Sequence, residues 1–299
     1  MTTRPASRPS VGTLLATLPP EALFVVSALS QYIGAAIAVG LFDEVAPETV
    51  AWFRVLGAAV VLLVCSPGFH RGWTGRDLAG AAVFGIATVA MNTFFYLAID
   101  RVHLGNSVAI EFVGPIVVAA ATTRTRRNAL ALTVTVAGVA TLGGLEIGDN
   151  TAGLVFILAA SAMWAAYIVV GSKVANVRPG VAGLGVGLAI GTAALAPWGV
   201  PGSGHVWTSA SLLVLCLLTG VFSNAIGYGI DQFVLRRIPV RRFSVLLATL
   251  PVTAVVVGWV ALGQQPGAAG LAGIALVLAG VAVQERESVA AEAALPDPG

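Results

Sequence analysis

Ten apolar stretches, each about as long as a membrane span, follow one another through this 299-residue chain. A helix needs about 20 mostly apolar residues to cross the hydrocarbon core of a bilayer. The stretches fall at about 21–42, 47–66, 78–99, 105–123, 129–145, 151–171, 180–199, 208–231, 242–262 and 267–284. Short connections join them. This pattern dictates an all-α membrane protein with ten transmembrane helices. Composition agrees: 10% of the residues are charged, against about 25% in soluble domains.

Charge placement sets the orientation, because cytoplasmic loops collect Lys and Arg. One side gathers Arg4, Arg8, Arg71, Arg76, Arg124, Arg126, Arg127, Lys173, Arg178, Arg236, Arg237, Arg241, Arg242 and Arg286. The other holds Arg101 with Asp43, Glu44, Glu48, Asp100, Glu146 and Asp149. The alternation holds at every loop, which puts both termini in the cytoplasm. Residues 1–20 then form a cytoplasmic tail. The run Ala22–Phe42 is too long for the core of a secretory signal and reads as a retained helix. Past Gln284, the acidic and Pro-containing residues 285–299 read as a disordered cytoplasmic tail.

The halves repeat. Asn92-x3-Tyr96 in the third span recurs as Asn224-x3-Tyr228 in the eighth, offset by 132 residues. Pro115 in the fourth span has its counterpart in Pro251 of the ninth, offset by 136. Five spans per half is odd, so residues 21–145 and 151–284 must be inverted with respect to each other. Inverted repeats are a recurring design of secondary transporters, with the solute site near the repeat interface.

Two charges lie within the apolar spans. Glu111 stands roughly 9 Å below the external interface, at 1.5 Å per residue. Arg54 stands about as deep in the second span. A charge at bilayer depth is expensive and marks a functional candidate, so each should face a wet cavity or the other. The plainer alternative is an ion pair that locks two helices. Burial opposes ionisation of Glu111 and a nearby Arg54 supports it, so a solute on Arg54 would alter that balance. Proton uptake by Glu111 as the solute leaves would couple the two. One inward charge is worth about 2.3 kcal/mol per 100 mV, which supports roughly a fifty-fold outward gradient of a neutral solute.

The uncharged candidates are Asn92, Tyr96, Asn224 and Tyr228, with Gln31 and Tyr32 in the first span and Trp164 and Tyr167 in the sixth. The first four line the solute path or hydrogen-bond between helices; the other four stack on or hydrogen-bond the solute, or are interfacial aromatics. Pro115 removes a backbone bond near the Glu111 turn and, with Pro251, is a hinge candidate or an ordinary kink. Asp231 reads as a solvated cytoplasmic partner of Arg236 and Arg237. Gly183, Gly187 and Gly191 form a ladder for close helix packing.

Cys65 and Cys216 lie in apolar segments and read as small hydrophobes. His70, His103 and His205 fall in three separate connections, which gives no metal-ligand cluster. No His lies in a span, so a buried nucleophile–base pair has no base. This leaves no case for an enzyme.

Phe53-Arg54, Asn92-x3-Tyr96, Glu111-Phe112-x-Gly114-Pro115, Ala165-x-Tyr167 and the Tyr228-x-x-Asp231 to Ile238-Pro239 region resemble the threonine/homoserine exporters. These are EamA-type members of the drug/metabolite transporter superfamily. The resemblance covers about residues 21–284. It implies two EamA repeats, the bacterial inner membrane and cytoplasmic termini. It also implies export of small amino acids by proton antiport, with no cofactor and no nucleic-acid partner. Two positions depart from the family pattern. Leu250 stands where an acid usually precedes the ninth-span proline, and Gly263-Gln264-Gln265 replaces a Gly-Glu pair. The alternative on the same scaffold is an exporter of broader drug and metabolite specificity. A non-transporting scaffold fits poorly with two intramembrane charges at matched depth.

Overall fold

The structure is a computed structural model. It describes residues 18–66, 69–70, 72–122, 125–146, 150–174, 181–235, 237, 246 and 249–293. Every described element is helical. Three helices fill the first third: α1 (Pro20–Val39), α2 (Pro47–Val64) and α3 (Gly75–Ile99). The fourth apolar stretch is two helices, α4 (Leu104–Glu111) and α5 (Val113–Thr122). Then come α6 (Arg126–Glu146), α7 (Thr151–Val174) and α8 (Val181–Ala194). The eighth stretch is composite: α9 (Ala210–Gly220), a π-helical segment (Val221–Gly227) and α10 (Tyr228–Leu235). Finally α11 (Thr249–Leu262) and α12 (Ala268–Ala293) close the chain.

Local sequence explains the starts and the breaks. Pro20 and Pro47 open α1 and α2 in the first turn, where a missing N–H costs no helical bond, and Glu21 and Glu48 follow there. Thr74 and Asp77 form a reciprocal capping box on α3. Pro115 has no N–H to give the Glu111 carbonyl, and the helix breaks at Phe112 between the two. By length and composition, α1, α2, α3 and Ala210–Asp231 are long and apolar enough to cross a membrane. Six shorter apolar helices accompany them among the described residues.

The expected boundaries differ in three places. The fourth and eighth spans are interrupted rather than continuous. The last helix runs on to Ala293, so the tail expected to be disordered from residue 285 is helical for its first turns. Arg4, Arg8, Arg71, Arg124, Arg178, Arg236, Arg241 and Arg242 lie outside the described residues.

Glycine sets the close packing. Gly187 and Gly191 of α8 rest on the backbone of α3 at Ala81 and Gly85, and Gly85 meets Gly187 in turn. Gly138 of α6 faces Gly273 of α12, and Gly280 faces Thr135. The pairings are reciprocal. α1 packs on α9, the π segment and α10, as α7 packs on α3. α2 packs on α9, as α8 packs on α3, and α1 packs on α11, as α7 packs on α4 and α5. Three further pairs pack directly: α2 with α8, α4 with α11 and α6 with α12. Val25, Val26, Leu29 and Ile33 of α1 face outward, as do Trp198, Trp207 and Trp259 elsewhere.

Candidate functional site

Arg54 is carried into the interior by α2 and is only 6% exposed. Glycine makes room for its neighbours. Gly220 lies against the Arg54 carbonyl and Gly57 against the Leu217 carbonyl, so a Cβ at either position would collide with backbone. This approach brings the π segment beside the guanidinium, and Arg54 Nε donates to Asn224 Oδ1 at 2.7 Å. A π segment inside an α-helix is frequent at functional sites. The guanidinium carbon also sits 4.8 Å from the centroid of the buried Tyr96 ring. Arg54 Nη1 has no hydrogen-bond partner among the described residues, although a guanidinium offers five N–H donors.

Glu111 ends α4 at the break before Phe112 and is 9% exposed. The Phe112 ring meets Trp164 edge-on at 5.2 Å. Among the described residues no ion pair joins Glu111 to Arg54. The salt bridge there is the superficial Arg101–Asp100 pair at 2.8 Å. The acid and the base are instead two points on the wall of one cavity of about 290 Å³. Gln31, Tyr32, Asn92, Trp164 and Tyr228 line the same cavity. Asn92 Nδ2 donates to the Thr88 carbonyl of its own helix at 2.7 Å.

Two expected candidates stand elsewhere. Tyr96 and Asn224 are fully buried behind Arg54 and hold it in place rather than line the cavity. Tyr167 is in α7, but its side chain is outside the described residues. The two prolines occupy matching places, each the third residue of its helix: Pro115 in α5 and Pro251 in α11.

Asp231 corrects the sequence reading. It does not pair with Arg237, whose Nη1 donates to the Leu18 carbonyl at 2.9 Å and whose guanidinium lies over the Phe233 ring. Asp231 turns inward and lines the cavity. Its Oδ1 lies 2.6 Å from Ser27 Oγ, and its Oδ2 accepts from Gln31 Nε2 at 3.2 Å. The signal for this was available: Asp231 follows Tyr228 by three residues, and residues three apart share a helix face. Leu250, at the position lacking the expected acid, is also on the cavity wall. Gln264 does structural work: its Oε1 accepts from Leu104 N at 2.9 Å and caps the start of α4. It borders a second cavity, of about 360 Å³, whose lining holds no Asp, Glu, Lys or Arg.

A bundle of apolar helices around a cavity lined by buried charge fits a membrane transporter. Comparison with known proteins specifies the kind. Residues 151–284 match the EamA-like transporter family. The chain is 29% identical over 250 residues to the threonine/homoserine exporter RhtA of Salmonella typhimurium, covering 82% of this chain and 84% of that protein. It is 28% identical, with the same coverage, to the threonine/homoserine exporter RhtA of Escherichia coli (strain K12). A solved structure described only as the crystal structure of a protein shares the fold. Its TM-score is 0.60 at 18% identity, over 88% of this chain and 96% of its own. The chain is thus similar to EamA-like transporters over residues 151–284 and to threonine/homoserine exporters over most of its length.

Proposed function

We propose that this chain is a secondary transporter that exports small zwitterionic amino acids, threonine- or homoserine-like, in exchange for protons. One observation carries the reading: buried Arg54, whose Nη1 has no hydrogen-bond partner among the described residues, lines a cavity that also holds Glu111 without pairing to it. Opposite charges kept apart in one cavity match the two ends of a zwitterion. The volume of about 290 Å³ is at the small edge of the ~300–1,000 Å³ range of drug-sized sites. A small solute suits it better than a bulky one. The names of the relatives, both threonine/homoserine exporters, point the same way.

In this reading Arg54 binds the solute carboxylate, with Tyr96 and Asn224 fixing its plane. Ionised Glu111 holds the solute ammonium. A proton arriving on Glu111 removes that partner and releases the solute. Proton and ammonium compete for one carboxylate, which makes the exchange an antiport. Water is scarce at this depth, so both charge interactions are stronger than in solution.

We further propose ten spans arranged as two inverted repeats, residues 21–145 and 151–284, with both termini in the cytoplasm of a bacterial cell and the spans in its inner membrane. The reciprocal helix pairings, the matching places of Pro115 and Pro251 and the family match to residues 151–284 support the repeats. Exposed Trp198, Trp207 and Trp259 all fall at helix ends assigned to the external face, as an aromatic belt requires. Alternating access then rocks one half against the other around the shared cavity.

Counterflow in proteoliposomes with a panel of labelled amino acids, with and without a pH gradient, tests the reading. Threonine or homoserine uptake accelerated by the gradient is expected. A second reading, export of broader drug-like solutes, draws on the apolar wall made by Leu250, Phe84 and Met91. Efflux of a cationic dye with no amino-acid counterflow would select it.

A further inference from the structure

Asp231 has a hydrogen-bond arrangement that counts protons. Ser27 Oγ, fully buried on α1, lies 2.6 Å from Asp231 Oδ1 and 2.9 Å from the Gly227 carbonyl oxygen. Both distances are those of O–H···O bonds. A serine hydroxyl owns one hydrogen. It serves one of these two oxygens, and the other contact needs a hydrogen from elsewhere. Gln31 Nε2 adds a donor to Ser27 Oγ at 3.1 Å and to Asp231 Oδ2 at 3.2 Å, so Ser27 already accepts.

One assignment satisfies every contact. Asp231 Oδ1 carries a proton and donates to Ser27 Oγ. Ser27 donates to the Gly227 carbonyl. Gln31 spends one amide hydrogen on Ser27 Oγ and the other on Asp231 Oδ2. An ionised Asp231 leaves two oxygens 2.6 or 2.9 Å apart with no hydrogen between them. It would also lack a cation, since no ion pair reaches Asp231 among the described residues.

The ionisable groups that share its cavity are Tyr32 of α1, Tyr228 of its own helix, Arg54 of α2 and Glu111 of α4. While Glu111 is ionised and balances Arg54, a neutral Asp231 leaves the cavity with no net charge, and an ionised Asp231 leaves it with an unbalanced negative charge.

We propose that Asp231 is a second proton-carrying carboxyl of this transporter, holding its proton against Ser27 while α1 and α10 are together and yielding it to water when they part. This rests on the reading of the chain as a proton-coupled transporter and adds a proton site distinct from Glu111. The step is a simple ionisation: the carboxylic acid becomes a carboxylate and the proton passes to water in the cavity.

Infrared spectroscopy of the purified full chain tests this without any solute. At neutral pH the C=O stretch of a protonated carboxylic acid should be present. It should shift when aspartate carries a carbon-13 carboxyl, and vanish in Asp231→Asn. Labelling requires no mutation, so the test stands even where the variant fails to fold. Absence of any aspartate-sensitive component, or its survival in Asp231→Asn, overturns the proposal; a component that ignores aspartate labelling comes from a glutamate and reports on Glu111 instead. The transport arm compares gradient-driven with exchange transport of labelled threonine. Their ratio should fall toward one in Asp231→Asn, and an unchanged ratio contradicts the proposal. If wild type moves no amino acid, the proposed solute class is wrong and the infrared result alone decides Asp231.

Discussion

Replacing Arg54 by glutamine removes the one positive charge that the described residues place on the cavity wall, while keeping a polar side chain. In the structure Arg54 Nη1 is unspent and Nε is committed to Asn224, so the solute carboxylate gains at least one charge-assisted bond. Such bonds are worth about 1.5–3 kcal/mol each. At ~1.4 kcal/mol per tenfold, their loss weakens half-saturation by roughly 10- to 150-fold. The assay is counterflow of labelled threonine in proteoliposomes, run beside the amino alcohol made by reducing the carboxyl group of threonine. Arg54→Gln should lose threonine selectively, because the alcohol never used the guanidinium. Arg54→Lys should fall between, since an ammonium keeps the charge without the planar fork that reaches Asn224 and lies over Tyr96. Detergent-phase melting controls for folding. Equal losses for threonine and the alcohol would refute the reasoning and make Arg54 a packing residue.

Glu111→Gln should weaken the dependence of solute exchange on a pH gradient, and Glu111→Gln combined with Asp231→Asn should abolish it, read as equal initial rates with and without the gradient; an unchanged dependence in Glu111→Gln removes Glu111 from the antiport mechanism. Gly220→Ala places a Cβ on the Arg54 carbonyl and should cost about 1–3 kcal/mol of stability. Gly229→Ala in α10 meets nothing within 4 Å and should be neutral or stabilising by up to ~1 kcal/mol, so the pair of melting curves checks the packing directly. Gln264→Leu strips the cap from Leu104 N and should cost about 0.5–2 kcal/mol, visible as a lower melting temperature.

Arg54 and Glu111 were legible because a charge inside an apolar stretch has few tolerable destinations. The sequence match of Asn92 with Asn224 did not disclose their division of labour: Asn92 lines the cavity while Asn224 braces Arg54 from behind. Asp231 was misread, and the reason is physical. These helices are apolar around most of their circumference, since lipid is as apolar as a protein core. Hydrophobic periodicity therefore gives the spans but not their rotation, and rotation decides whether Asp231 meets Ser27 or solvent. Pro115 announced a disturbance whose form, a break at Phe112, depends on Gly114 packing against the Ser161 carbonyl. The π segment left no sequence mark. It sits where Gly34 of α1 meets Thr219 and Ser223 and where Gly220 meets the backbone of Arg54 in α2, contacts between segments far apart in the chain.

A solved structure with threonine bound tests the central claim most directly. The account predicts the solute in the cavity shared by Arg54 and Glu111, its carboxylate within hydrogen-bond reach of Arg54 Nη1 and its ammonium toward Glu111. Threonine bound elsewhere, or lying in that cavity with its carboxylate turned away from Arg54, would contradict it.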